Sequence, residues 1–164
     1  MKRLAIALLI CMLCLLAGCG GTATAAPGGV SPTPAEVNPS ADDVVEIRER
    51  LFVAQINEIY LNEKDYLGKT IKLEGMFTQY TWQEMNMTYY MVYRNSPGCC
   101  GADGQAGFEV VWPEGAQQPF PNENDWVEAV GTLSKYEEAG GTYLHVVLTS
   151  LTVLPTRGAE FVSQ

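Results

Sequence analysis

Ile71-Lys72-Leu73-Glu74-Gly75-Met76-Phe77 alternates with period two: Ile71, Leu73, Gly75 and Phe77 fall on one face, Lys72, Glu74 and Met76 on the other. This is the pattern of a half-buried strand, and the glycine in its middle marks a place where a strand bends sharply. Similar runs follow at Thr88 to Arg94, Phe108 to Trp112, Trp126 to Leu133 and Thr142 to Leu154. Turn-rich segments separate them at Pro97-Gly98, Gly101 to Gly107, Pro119 to Asp125 and Gly140-Gly141. Five strands in about 85 residues, with a second mid-strand glycine at Gly131, predict an all-β domain. The expected architecture is a small five-stranded barrel of the OB-like, Greek-key kind, with a half-open sandwich as the alternative. Phe77, Trp82, Phe108, Trp112, Trp126 and Tyr143 are expected to fill or rim its core.

Upstream of the strands the period changes. Pro39-Ser40-Ala41-Asp42-Asp43 has the form of a helix start, with Ser40 as N-cap and the Asp43 charge favourable to the dipole. Val44, Ile47 and Leu51 recur at helical spacing, and Glu46 and Arg50 stand at i,i+4. The pattern falters at Leu51 to Ala54, and a further helical turn or two runs through Ile56, Ile59 and Tyr60 before Asn62. Short N-terminal helices therefore precede the barrel.

The whole chain has 164 residues, 47% of them hydrophobic, which suits one compact domain plus extensions and excludes a large multidomain enzyme. Met1-Lys2-Arg3 followed by the apolar run Leu4 to Leu16 reads as an export signal, too short for a spanning helix, which needs roughly 20 apolar residues. Leu16-Ala17-Gly18-Cys19 resembles the lipobox of bacterial lipoproteins, which makes Cys19 the lipidation site. Its neighbours Cys11 and Cys14 would leave with the leader. From Gly20 to about Pro39 the sequence is Gly, Ala, Thr, Ser and Pro, too poor in large hydrophobes to offset its ordering entropy. The expected organisation is a lipoprotein signal peptide over 1–18, a lipid anchor and flexible linker over 19–39, and a β-barrel domain with an N-terminal helical segment over 40–162. Such a chain is bound to the extracytoplasmic face of a bacterial cell membrane.

The formal charge is −9, from 10 Lys+Arg against 19 Asp+Glu, and loss of Lys2 and Arg3 with the leader leaves 8 against 19, or −11. A surface so acidic repels phosphate backbones, so no nucleic-acid partner is expected.

Cys99 and Cys100 are the only thiols left in the chain once the leader is removed and Cys19 is acylated. Exported proteins seldom keep thiols without use. Adjacent Cα atoms lie about 3.8 Å apart, short of the usual disulfide span, so a bond between them would be strained and easily reduced. Three readings stand: a buried thiol pair without separate chemistry, a redox-active pair, or ligands of a transition metal such as zinc or copper. For the last, Cys99, Cys100, Asp103 and the single histidine, His145, form one conceivable set, though no CxxC, HxH or HExxH supports it. A cysteine nucleophile would need His145 as its base, about 45 residues away, and nothing else resembles a catalytic set. The chain is therefore not read as an enzyme. Glu123, Asp125, Glu137 and Glu138 are expected to be solvated. A further possibility is a general ligand-binding barrel, with Trp82, Tyr89 and Tyr90 as an exposed aromatic platform for sugar.

Tyr66-Leu67-Gly68-Lys69, Leu73-Glu74-Gly75, Arg94, Cys99-Cys100-Gly101-Ala102-Asp103, Trp126-Val127 with Gly131-Thr132-Leu133, and Leu154-Pro155 occur in one order. Over about residues 50 to 162 the chain resembles an uncharacterised bacterial family described as the smaller subunit of a two-component membrane permease complex, the Cys-Cys-x-Ala-Asp string being the most specific element. The resemblance implies a β-rich domain beside a multispanning permease of unassigned cargo. Better-known members carry transmembrane helices ahead of this domain, where this chain has a lipobox and tether. Taken together, the sequence predicts a lipid-anchored accessory or sensing subunit acting through the Cys99-Cys100 turn, with Arg94 and Asp103 beside it in the motif, and a thiol-redox or metal-binding surface lipoprotein as the alternative.

Overall fold

The computed structural model describes residues 44–98, 101–116 and 118–163. It comprises β1 (Val44–Glu46), a 3-10 turn (Glu49–Leu51), α1 (Phe52–Leu61), a second 3-10 turn (Glu63–Asp65), β2 (Thr70–Trp82), β3 (Met87–Gly98), β4 (Gly101–Val111), β5 (Trp126–Glu138) and β6 (Gly141–Val153). Among these residues no helix is long and apolar enough to cross a membrane.

The sheet runs β1-β2-β3-β4-β6-β5, and β5 pairs again with β2. That last pairing closes β2 to β6 into a five-stranded barrel and excludes the half-open sandwich. β4 and β6 are parallel, while the other barrel contacts are antiparallel. This is the OB-like Greek-key arrangement expected from the strand count.

The corner glycines have a steric reason. β2 pairs with β5 up to Met76 and with β3 from Met76 onward, so Gly75 stands where it changes partners. A Cβ there would lie 2.5 Å from the Tyr93 carbonyl oxygen. Gly131, at the irregularity between β5 and β6, and Gly107 in β4 meet neighbouring backbone equally closely.

In the main core cluster Ile71, Leu73, Phe77, Val92, Phe108, Val110, Val127, Leu133 and Val146 face inward and are almost wholly buried, and a small second cluster holds Met76, Tyr93 and Trp126. Phe52, Val53, Ile56 and Ile59 of α1 join the main cluster, so the helix packs its apolar stripe into the barrel interior.

The start of the chain differs from expectation. Ser40 and Asp43 lie outside the described residues. Val44 to Glu46 is a strand parallel to β2, extended by the Ile47 N–H donating to Lys72 O at 2.8 Å. The β-branched pair Val44-Val45 suits a sheet edge, and the helix begins only at Phe52. Gln55 fixes the change of direction: its Oε1 accepts from Arg48 N at 2.8 Å and its Nε2 donates to Glu46 O at 3.0 Å. The Glu46/Arg50 helical spacing is thus incidental.

β3 and β4 are also longer than their apolar runs. The segments read as turns, Asn95 to Gly98 and Gly101 to Gly107, pair with each other, Gly104 opposite Ser96. Beyond the point where β2 leaves β3, the C-terminal tail takes its place: Asn95 N donates to Glu160 O and Val162 N to Asn95 O, both at 2.9 Å.

Candidate functional site

Two hairpins project past the barrel wall. One is the end of β2 with the start of β3, Gln79↔Tyr90 to Trp82↔Met87, turning at Asn86 with φ 51°. The other is the end of β5 with the start of β6, closed by Ala139 and Gly140 at φ 48° and 83°, the positive pair that a two-residue hairpin turn requires. Between them, over the outer face of β3 and β4 and beside the end of α1, lies a cleft of about 760 Å³. A cleft of this size suits a small ligand. It also occupies the region between the hairpin loops that OB-type barrels use for ligands.

Six aromatic residues wall it: Tyr60, Tyr80, Trp82, Tyr89, Tyr136 and Tyr143. Tyr80 and Tyr143 are 65% and 48% exposed, so much of their surface is accessible to a ligand. Tyr60 stacks on Phe108, ring centres 5.3 Å apart, and Tyr136 stacks on Tyr143 at 5.5 Å and on His145 at 4.9 Å. These stacks tie the walls to the barrel.

The polar groups converge on two carboxylates. Tyr89 Oη donates to Glu138 Oε2 at 2.7 Å, joining one projecting hairpin to the other across the cleft. Tyr136 Oη donates to Glu109 Oε2 at 2.5 Å. Burial pushes the Glu109 carboxyl above its ordinary range, opposed by the Tyr136 hydrogen bond and assisted by the Glu138 charge. The bond to Glu138 holds the Tyr89 phenol up to about 12, and burial followed by Glu109 raises that of Tyr136. The third carboxylate of the lining, Glu63, is paired with Lys135 Nζ at 3.1 Å. No Lys or Arg lines the cleft among the described residues.

The residues singled out in the sequence are scattered. Cys19, Cys99 and Cys100 lie outside the described residues, as does the side chain of Asp103. Gly98 pairs with Gly101, and β4 carries Asp103 near its start. His145 pairs with Glu109, six residues further along β4, or roughly 20 Å at 3.3 Å per residue. That separation takes His145 out of any single metal site with Asp103. Burial lowers the basicity of its ring. Among the described residues no group of three or more His, Cys, Asp or Glu is placed to hold a metal.

Arg94 is a clamp. It is 2% exposed, its guanidinium lies 4.9 Å from the Phe52 ring centre and 4.8 Å from that of Trp126, and it donates to Glu74 O, Glu49 Oε2 and Ala159 O. A smaller polar pocket of about 290 Å³ adjoins it.

Two of the three residues of the expected aromatic platform reach the cleft. Trp82 and Tyr89 do line the cleft, but Tyr90, adjacent in the strand, turns to the opposite face and stacks on Phe120 at 3.7 Å. Glu138 is engaged by Tyr89, and Glu123 accepts from Thr78 Oγ1 at 2.6 Å and Gln79 N at 3.1 Å, so neither is merely solvated. Tyr60, Tyr80, Tyr136, Glu109 and Glu138 were not among the expected site residues. Their signal was the i,i+2 spacing of Tyr136 with Glu138, one face of one strand.

A family model described as the DUF1980 C-terminal domain matches residues 32–156. No curated protein and no solved structure matches the chain.

Proposed function

The chain belongs to the DUF1980 C-terminal domain family, and from that premise we propose that it is a recognition subunit of a membrane permease complex, tethered by lipid on Cys19 at the extracytoplasmic face. The permease role rests on the motif resemblance, and the address rests on the leader and lipobox. The recognition role rests on the cleft: six aromatic walls and two uncompensated carboxylates converge between two hairpins fixed to a closed barrel. A rigid barrel with loops at one end is a frame that holds such a site without itself changing. The weight that the sequence placed on the paired cysteines moves to this cleft. Cys99 and Cys100 carry no part of the reading.

The test is a thermal-shift screen of the full chain against extracellular solutes, namely sugars, amines, amino acids and short peptides. Bound at 100 times its Kd, a solute stabilises the folded state by about 2.7 kcal/mol. At least one class is expected to raise the Tm, and Trp82→Ala with Tyr143→Ala, both at the rim, should abolish the shift while leaving the unliganded Tm within a few degrees. Shifts that persist in this double variant would remove the cleft as the recognition site.

A further inference from the structure

We propose that the cleft takes a small organic cation, an alkylammonium or quaternary ammonium group carried on an apolar body. The inference rests on the recognition reading above and names its ligand class.

Charge decides between the candidates. Glu63 is neutralised by Lys135, whereas among the described residues Glu109 and Glu138 are held by the Tyr136 and Tyr89 hydroxyls. A phenol shares its proton with a carboxylate without cancelling the charge, so two negative groups face a space whose lining, among the described residues, holds no Lys or Arg. Burial makes the Glu109 charge costly, and Glu138 adds to that cost. A cation in the cleft relieves both.

The walls supply an independent argument. Tyrosine and tryptophan faces attract cations through the ring quadrupole, most strongly when water is excluded, and surrounding an ammonium with such faces is how aromatic cages work. Here Tyr80, Trp82 and Tyr143 line the same cleft as the carboxylates. A divalent ion holds its hydration shell tightly and would meet the aromatic faces only through water, whereas an alkylated ammonium is weakly hydrated and can lie directly against them. A neutral sugar could stack on the rings but would leave the two charges unanswered.

The experiment is calorimetric titration of the full chain with choline, with 3,3-dimethylbutan-1-ol, which has the same shape without the charge, and with cellotriose. Choline is expected to bind at least tenfold more tightly than its neutral isostere. Glu109→Gln with Glu138→Gln should reduce that difference several-fold, the remainder being the contribution of the aromatic faces. Gln keeps an acceptor for each tyrosine and removes the buried charge, so the variant's Tm at pH 7 should equal or exceed that of the native chain. Should the double variant not fold, Trp82→Ala should weaken choline binding by itself. Equal affinity for choline and the alcohol, or a preference for cellotriose, would overturn the cation and leave the recognition reading standing. Binding of none of the three would also overturn the cation, and the solute screen would then decide the recognition reading separately.

Discussion

Arg94→Ala is expected to cost the fold about 2–4 kcal/mol, from buried carbonyls left without a donor and the cavity opened between two rings, since the half-exposed Glu49 carboxylate is rehydrated. The side chain is sandwiched between Phe52 of α1 and Trp126 of β5, and its donors reach Glu74 in β2, Glu49 before α1 and Ala159 in the tail. One guanidinium thus fastens both ends of the domain to the barrel. Its removal orphans two carbonyls and leaves a gap between two rings. Against a total stability of about 5–15 kcal/mol, a loss of that size unfolds much of the population at growth temperature. Urea unfolding followed by tryptophan fluorescence measures it, and a loss below about 1 kcal/mol would show that the clamp is dispensable. Arg94→Lys should recover little, because an ammonium cannot make three directed bonds and stack at once.

The same clamp carries a pH signature. The Ala159 N–H bond, then the Arg94 bond, hold the Glu49 carboxyl below its ordinary value. A depressed folded-state value means that its contribution is complete above the unfolded value near 4.5 and is lost as pH falls through the folded one. The advantage of the native chain over Glu49→Gln should therefore shrink in acid and vanish below that window.

Gly131→Ala is expected to cost about 3 kcal/mol or more. The added methyl would stand 2.3 Å from Val147 O and 2.8 Å from Leu148 Cα, which are backbone atoms of a paired strand that cannot rotate aside. β6 would have to shift where it also meets β4, at Val146↔Val110. Gly115→Ala provides the contrast. It has nothing within 4 Å and only a positive φ of 83°, so its cost should stay near 1 kcal/mol. Urea unfolding of the two variants side by side checks this, and equal costs would mean that strand closeness at the corner is not what the glycine provides.

The barrel was legible because its strands are amphipathic with period two and its corners are glycines, both local features. Gly75 and Gly131 announced the bends at which the structure uses them. The first strand was not legible: Val44, Ile47 and Leu51 fit a helical period as well as an edge strand, and the deciding contact, Ile47 to Lys72, is 25 residues away. Asn95 to Gly98 and Gly101 to Gly107 read as turns because glycine and proline dominate them, yet they form a ribbon completed by the distant tail residues Glu160 and Val162.

The cleft was legible only in part. Trp82 and Tyr89 stood out as aromatics near a turn, but no local pattern says that Glu138, 49 residues from Tyr89, will meet it across a gap. Arg94 and Trp126 both stood out in the motif, but nothing local says that they stack, and the second ring, Phe52 of α1, lies outside the motif. Convergence of distant hairpins is a property of barrel closure. Local sequence patterns do not carry it.

The most direct measurement is a carbon-13 methyl spectrum of the full chain, labelled at methionine and titrated with choline. Met91 lines the cleft, and Met76 is buried in the small cluster with Tyr93 and Trp126. The Met91 methyl signal should move in a saturable way while that of Met76 stays fixed. A titration that moves no methionine signal, or moves Met76 and leaves Met91 in place, would contradict a cation seated between the two hairpins.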